Sequence, residues 1–219
     1  MVVEVNQTKD DDMTKQWEQP NVAIDVVPVR FQDGEIKVAL GERKFEPFKG
    51  YLALPGVLLL PTETIDEAAY RALQNKTGIE PSDALKIVRL APFDNTDRDP
   101  RGATISLPVL AIISSGSNSE NSVWQSMREF DELPFDHYNI VEAALSELNL
   151  LLWRNSGVTR AIVGDEFSTT HAINVTEAIS SAAVDRTNFN RTLKGYRFIS
   201  KVDDIKGAKG RPASGWRFN

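Results

Sequence analysis

The chain has no cysteine. Disulfides, thiolate zinc sites and cysteine nucleophiles are therefore excluded, as suits a reducing compartment. Histidine is scarce too: His137 and His171 are the only two, and neither has ligand-type partners nearby in sequence. Neither reads as a metal ligand or a catalytic base, and His137 reads as packing or capping at the start of a helix. No apolar run is long enough to cross a bilayer, and the first twenty residues lack the basic start and hydrophobic centre of a signal peptide. The expectation is a cytoplasmic protein with no membrane partner.

Positive charge is in short supply overall, the net charge being −6, but it is unevenly placed. From Arg186 to Asn219 nine basic residues face only Asp203 and Asp204, a balance of +7 that leaves −13 on residues 1–185. Such asymmetry suggests an anion-binding C-terminal end on an acidic body; a merely solvated basic surface is the alternative. Hydrophobic residues make up 41% of the 219, enough for one large core or two modest ones, and the patterning favours two domains.

Residues 1–20 are polar and aperiodic and read as a loose arm. VAIDVVPVRF and EIKVALGER, separated by Asp33-Gly34, read as a hairpin. Short apolar segments follow at Tyr51–Leu54 and Val57–Leu60. Thr64-Ile-Asp-Glu67 is a capping box, and Ile65, Ala68, Ala69, Ala72 and Leu73 repeat with a helical period that Gly78 ends. Strands are expected near Leu85–Leu90 and Ala103–Ile113, with a polar loop over 114–122.

His137–Trp153 predicts a long amphipathic helix carrying Val141, Ala144, Leu145, Leu148, Leu151 and Leu152 on one face. Two short helical patterns, Thr169–Ser180 and Arg186–Lys194, and two strand-like segments, Tyr196–Val202 and Ser214–Phe218, complete the chain. Helix, turn, helix and basic hairpin is the order of a winged helix-turn-helix. The division is 1–20 arm, 21–135 mixed α/β domain, 136–155 linker helix and 156–219 DNA-binding domain.

GVLLLPTETIDEAAYRALQNKTGI (56–79) resembles the Nudix box, G-x5-E-x7-R-E-U-x-E-E-x-G-U with U a bulky aliphatic residue. Aligned back from Gly78 it matches at Glu63, Arg71, Leu73, Gly78 and Ile79, while Val57 holds the first glycine site and Gly56 stands one position early. The helix acids of the motif are replaced by Ala72, Asn75 and Lys76. In Nudix hydrolases those acids hold magnesium against a diphosphate and activate water. Magnesium needs hard anionic oxygens in near-octahedral geometry, which alanine, asparagine and lysine do not supply. Hydrolysis by the family mechanism is not expected. Glu67 closes the capping box, and Glu63 with Arg71 ties the loop to the helix. A diphosphate can still be bound without metal through Lys76, Arg71 and nearby arginines.

Four further segments, ERKFEPFKGYLALPG (42–56), DRDPRGATIS (97–106), LPFDHYNIVEAAL (133–145) and the pair VDRTNFNRTL (184–193) with KGRPASGWRF (209–218), extend the likeness along nearly the whole chain. The chain resembles the Nudix-related transcriptional regulators of the NrtR family and their sugar-sensing relatives. The resemblance implies an α/β Nudix fold, a mixed sheet between helices, followed by a winged helix-turn-helix. It also implies a homodimeric repressor on a palindromic double-stranded DNA operator, with a catalytically silent Nudix-like domain and no cofactor. The effector it implies is ADP-ribose or a related nucleotide of NAD metabolism, or, in other members, a sugar such as arabinose. A metal-dependent nucleotide pyrophosphatase is the alternative, which Glu63 keeps open.

The candidate effector-binding residues are Arg43, Glu63, Arg71, Lys76, Arg98, Asp99 and Arg101. Arg43, Arg71, Lys76, Arg98 and Arg101 suit phosphates, while Asp97 and Asp99 suit sugar hydroxyls or simply shape a turn. For DNA, Asp185 caps the second helix of the motif and Phe189 and Leu193 face inward. That leaves Thr187, Asn188, Asn190, Arg191 and Lys194 outward: asparagine pairs with adenine and arginine with guanine, while hydroxyl and ammonium groups suit phosphates. The wing contributes Lys206, Lys209 and Arg211.

Overall fold

The computed structural model describes residues 19–119, 121–126, 129, 132–203 and 215–219. Its centre is β1 (Asn21–Gln32), which turns through Asp33 and Gly34, both at positive φ, into the antiparallel β2 (Glu35–Glu42). A turn with two left-handed residues matches strand twist, and Asp-Gly tolerates that geometry. The N-terminal half of β1 pairs with β4 (Gly56–Leu58) and β6 (Thr104–Ser106), and the C-terminal half runs parallel to β7 (Val109–Ile113). β3 (Leu52–Ala53) and β8 (Ser122–Ser126) pair with β2, and β5 (Ala84–Arg89) closes the far edge against β7. The sheet is mixed, as β1 is parallel to β6 and β7 and antiparallel to β2 and β4.

The strand pleat sorts the two cores. Ile24 and Val26 of β1, with Ala39, Val109, Ala111 and Ile113, face α1 (Ile65–Thr77) and meet Ala68, Ala69, Ala72 and Leu73. Val27 and Val29, with Val38, Leu40, Leu110 and Ile112, face the other side and meet Ile140, Val141, Ala144 and Leu148 of α2 (His137–Leu151). A period of two on the strands and 3.6 on the helices thus gives a sheet covered on both faces.

The second core does not stop at the end of α2. It continues through Leu152 and Trp153 into α3 (Ser156–Val163), β9 (Glu166–Ser168), α4 (Thr169–Ser180), α5 (Arg186–Gly195), β10 (Ile199–Val202) and β11 (Gly215–Phe218). β9, β11 and β10 form a small three-stranded sheet. Trp153 anchors this unit: its indole N–H donates to Thr176 Oγ1 at 2.9 Å, and its ring lies against Phe167, Phe189 and Tyr196.

Several elements depart from the sequence reading. The segment 103–113 is two strands, broken at Leu107-Pro108, where proline removes a ladder donor. β8 begins at Ser122, inside the expected loop. α3 and β9 were not anticipated: Gly157 and the β-branched Val158, Thr159, Ile162 and Val163 give α3 little intrinsic helix signal, and burial against the sheet overrides propensity. Among the described residues, no helix is long and apolar enough to cross a membrane.

Candidate functional site

A cavity of about 560 Å³ opens where β1, β2 and β4 meet α1, the 98–101 loop and the start of α2. Arg43, Arg71, Lys76, Arg98, Asp99 and Arg101, named from sequence, all line it. Glu63 is not a lining residue but acts through Arg71, accepting two hydrogen bonds from its guanidinium at 2.6 and 2.7 Å. That contact holds the Glu63 carboxyl below the usual carboxylate range, and Arg71 also donates to Leu58 O. Glu67 closes the capping box with Thr64, in both directions.

The helix positions that carry acids in the Nudix motif are divided by the fold. Asn75 and Lys76 line the cavity, whereas Ala72 is fully buried in the α1 core. Magnesium does not fit this donor set: Glu63 is taken by an arginine, Glu67 by the cap, and among the described residues no three histidine or carboxylate side chains are grouped to hold a metal.

The floor is an ionic network centred on a buried arginine. Arg98 has a side chain only 4% exposed and donates to Asp136 at 2.9 and 2.7 Å and to Asp25 at 3.0 Å. Ser106 Oγ donates to the same Asp25 oxygen at 2.7 Å. Two glycines make room here. A Cβ on Gly56 would stand 2.3 Å from Asp25 Oδ1, and one on Gly41 would stand 2.6 Å from the Lys76 carbonyl oxygen. The glycine at 56 is thus tied to the buried carboxylate opposite it in the β1–β4 ladder.

His137 forms part of the wall, beyond the packing or capping role expected of it. The Leu54 N–H donates to its Nδ1 at 3.1 Å, so the ring proton sits on Nε2, which faces Asp25 Oδ1 at 3.7 Å. Burial pushes its pKa down, and the nearby Asp25 carboxylate opposes this only in part.

Phe135 was also missed. It is held at positive φ, with the guanidinium groups of Arg43 and Arg101 4.7 and 5.6 Å from its ring centre. Arg43 donates to the Pro47 carbonyl at 2.8 Å, and Arg101 makes a two-pronged pair with Asp99 that lowers the carboxyl pKa. Phe45 and Tyr51 stand exposed nearby, at 74% and 63%, on the segment between β2 and β3. An aromatic ring flanked by cations beside a basic pocket suits a planar base joined to phosphates.

The second site is built on α5. Asp185 caps it, accepting from Asn188 N at 2.6 Å, and Phe189 and Leu193 are buried. Thr187, Asn188, Arg191 and Lys194 project outward as a polar, basic face. Asn190 differs: its Oδ1 accepts from Thr169 Oγ1 at 3.2 Å, its Nδ2 donates to the Arg186 carbonyl, and Thr169 in turn accepts from Trp216 Nε1. It joins α5 to α4 and to β11. Arg186, absent from the sequence candidates, is exposed at the helix start and donates to Thr170 Oγ1. Lys206, Lys209 and Arg211 lie outside the described residues.

The NUDIX domain model matches residues 19–149. The chain belongs to the NUDIX domain family. The NrtR DNA-binding winged helix domain model matches residues 161–218. The chain is 27% identical over 212 residues to the ADPR responsive transcriptional repressor NtrR of Acinetobacter baylyi, across 92% of this chain and 83% of that one. It is 31% identical over 141 residues to an ADP-ribose pyrophosphatase of Methanocaldococcus jannaschii, across 62% of this chain and 76% of that enzyme. Shewanella oneidensis NrtR, solved with a 27mer DNA, matches in fold with a TM-score of 0.74 at 22% identity, across 90% of this chain and 93% of that one.

Proposed function

We propose that this NUDIX-family chain is a transcriptional repressor that releases its operator when an ADP-ribose-like nucleotide enters the cavity, and that it does not hydrolyse that nucleotide. The observation that carries the reading is one cavity in which basic side chains gather round Phe135 while the adjoining helix presents Asn75 and Lys76 in place of acids. A volume of about 560 Å³ suits a nucleotide-sized ligand. A free pentose carries no charge to meet Arg43 and Lys76, the lining cations without a carboxylate partner, so the sugar-sensing alternative is disfavoured.

Residues 21–135 form the effector unit, 136–155 the connecting helix and 156–219 the DNA unit. The chain acts as a homodimer on a palindromic site, placing one α5 in each half-site major groove. Asn188 and Arg191 read bases, Thr187, Lys194 and Arg186 contact phosphates, and Lys206, Lys209 and Arg211 add wing contacts that strengthen binding without choosing sequence. Two kinds of support converge: the Acinetobacter relative is named an ADPR responsive repressor, and the C-terminal unit matches a DNA-binding winged helix domain.

The similarity to an archaeal ADP-ribose pyrophosphatase gives the competing reading its footing. Incubation of the purified chain with ADP-ribose and magnesium separates the two. The proposal expects no AMP; turnover abolished by Glu63→Gln would replace it with a hydrolase. Calorimetry adds the ligand class: ADP-ribose binds and arabinose does not, and the reverse order would move the chain to the sugar-sensing branch.

A further inference from the structure

The cations around the cavity are not equivalent. Arg98 is neutralised by Asp25 and Asp136, Arg101 by Asp99, and Arg71 by Glu63. Guanidinium groups already engaged by carboxylates have little left to offer an incoming anion. Two lining cations differ. Arg43 is held by the carbonyls of Pro47 and Phe45, which orient it without cancelling its charge. Lys76 has no ion pair or side-chain hydrogen bond among the described residues and is exposed to the cavity. Both lie near the end of β2: Gly41 packs against the Lys76 backbone, and Arg43 stands two residues further on, so its side chain leaves the strand on the same face as that contact.

Lys76 also occupies the motif position at which a catalytic relative carries a carboxylate, and the donor set around it does not suit a divalent ion. An ammonium group there brings to the site the positive charge that a metal would otherwise bring, on a flexible stem able to follow an anion. We infer that Lys76, seconded by Arg43, takes the place of the divalent cation as the counter-charge to the effector's diphosphate, so that recognition is metal-free. This inference rests on the nucleotide-sensing reading above for the identity of the ligand, but not for its chemistry, which requires only a diphosphate.

The test is calorimetry on the full chain with two probes, ADP-ribose and inorganic pyrophosphate, each in EDTA and in magnesium. For the wild type, the expected result is ADP-ribose affinity unchanged between EDTA and magnesium. Lys76→Gln is expected to weaken it by about tenfold or more, the loss of one charge-assisted contact, while Lys76→Arg largely retains it. Lys76→Glu adds a negative charge and should abolish binding in both conditions, because Ala72 and Asn75 still leave magnesium without ligands. A cation serving only the negative end of α1 would change the melting temperature and leave these affinities alone.

Loss of wild-type binding in EDTA, or full binding by Lys76→Gln, overturns the inference. If ADP-ribose fails in both conditions but pyrophosphate binds in EDTA and depends on Lys76, the inference stands and the ADP-ribose reading falls. If neither probe binds in EDTA, the inference is wrong.

Discussion

Asp136 and Arg98, 38 residues apart in sequence, meet through two nearly parallel hydrogen bonds of 2.7 and 2.9 Å, and the same guanidinium reaches Asp25 on the central strand. Asp136 immediately precedes α2, and Trp153, just past the end of that helix, is the anchor of the winged helix core. One helix of 15 residues thus touches the cavity floor at its start and the DNA-binding unit at its end.

Replacing Arg98 should be costly. Arg98→Ala leaves Asp25 and Asp136 facing each other without a cation, and breaking a buried pair in this way costs about 3–5 kcal/mol. Urea unfolding should show that loss as a fall in midpoint; a change of less than about 1 kcal/mol would place the network in a far wetter environment than the 4% exposure of Arg98 indicates.

Asp136 does not itself line the cavity. Asp136→Asn should therefore bind effector within about threefold of wild type while releasing DNA less completely, because the coupling free energy between sites is typically only about 1–3 kcal/mol. Parallel titrations of effector binding and of effector-driven DNA release check this. Equal loss of both would make Asp136 part of the pocket rather than of the link.

The buried His137 and the half-buried His171 set a pH dependence. Burial lowers the pKa of His137 and His171 below the ordinary value near 6.5, so the unfolded chain takes up protons that the folded chain resists. Their contribution to stability is complete above about pH 6.5 and is lost as pH falls below it, by about 1.4 kcal/mol per pKa unit of difference. His137→Asn keeps an acceptor for the Leu54 N–H without a titrating ring and should flatten part of the slope; adding His171→Asn should flatten more. A slope below pH 6.5 indifferent to both changes would assign it to the carboxylates instead.

On α5 the structure separates residues that look alike in sequence. Arg191→Ala should weaken specific DNA binding by about 1–3 kcal/mol, whereas Lys194→Ala should weaken binding to all sequences and reduce the salt slope by about one. Asn190→Ala should chiefly lower the thermal stability of the winged helix, by about 1 kcal/mol, since its amide is engaged with Thr169 and the Arg186 carbonyl. Melting curves and binding to operator and random DNA distinguish the three.

Much of the fold is legible locally. The Asp33-Gly34 turn, the Thr64–Glu67 capping box and the apolar face of α2 are short-range signals, and each yields the element it announces. α3 is not legible in this way, because its helicity comes from burial against β5 and β7 rather than from its residues. The cavity divides along the same line. Its arginines stand out as charges in loops and on the motif helix, but Asp25, Phe135 and His137 come together only through long-range contacts, Leu54 to His137 spanning 83 residues. Asp25 did carry a signal: an acid inside the run VAIDVV of a strand covered on both faces requires a buried partner. Asn190 shows the reverse, a polar side chain on α5 whose hydrogen-bonding groups turn out to be occupied.

The most direct measurement is fluorescence anisotropy of the full chain on labelled upstream DNA during addition of ADP-ribose, with the nucleotide then recovered and chromatographed. The expected result is DNA release with the ADP-ribose intact. Anisotropy that does not change, or release accompanied by conversion of the nucleotide to AMP, would contradict the account.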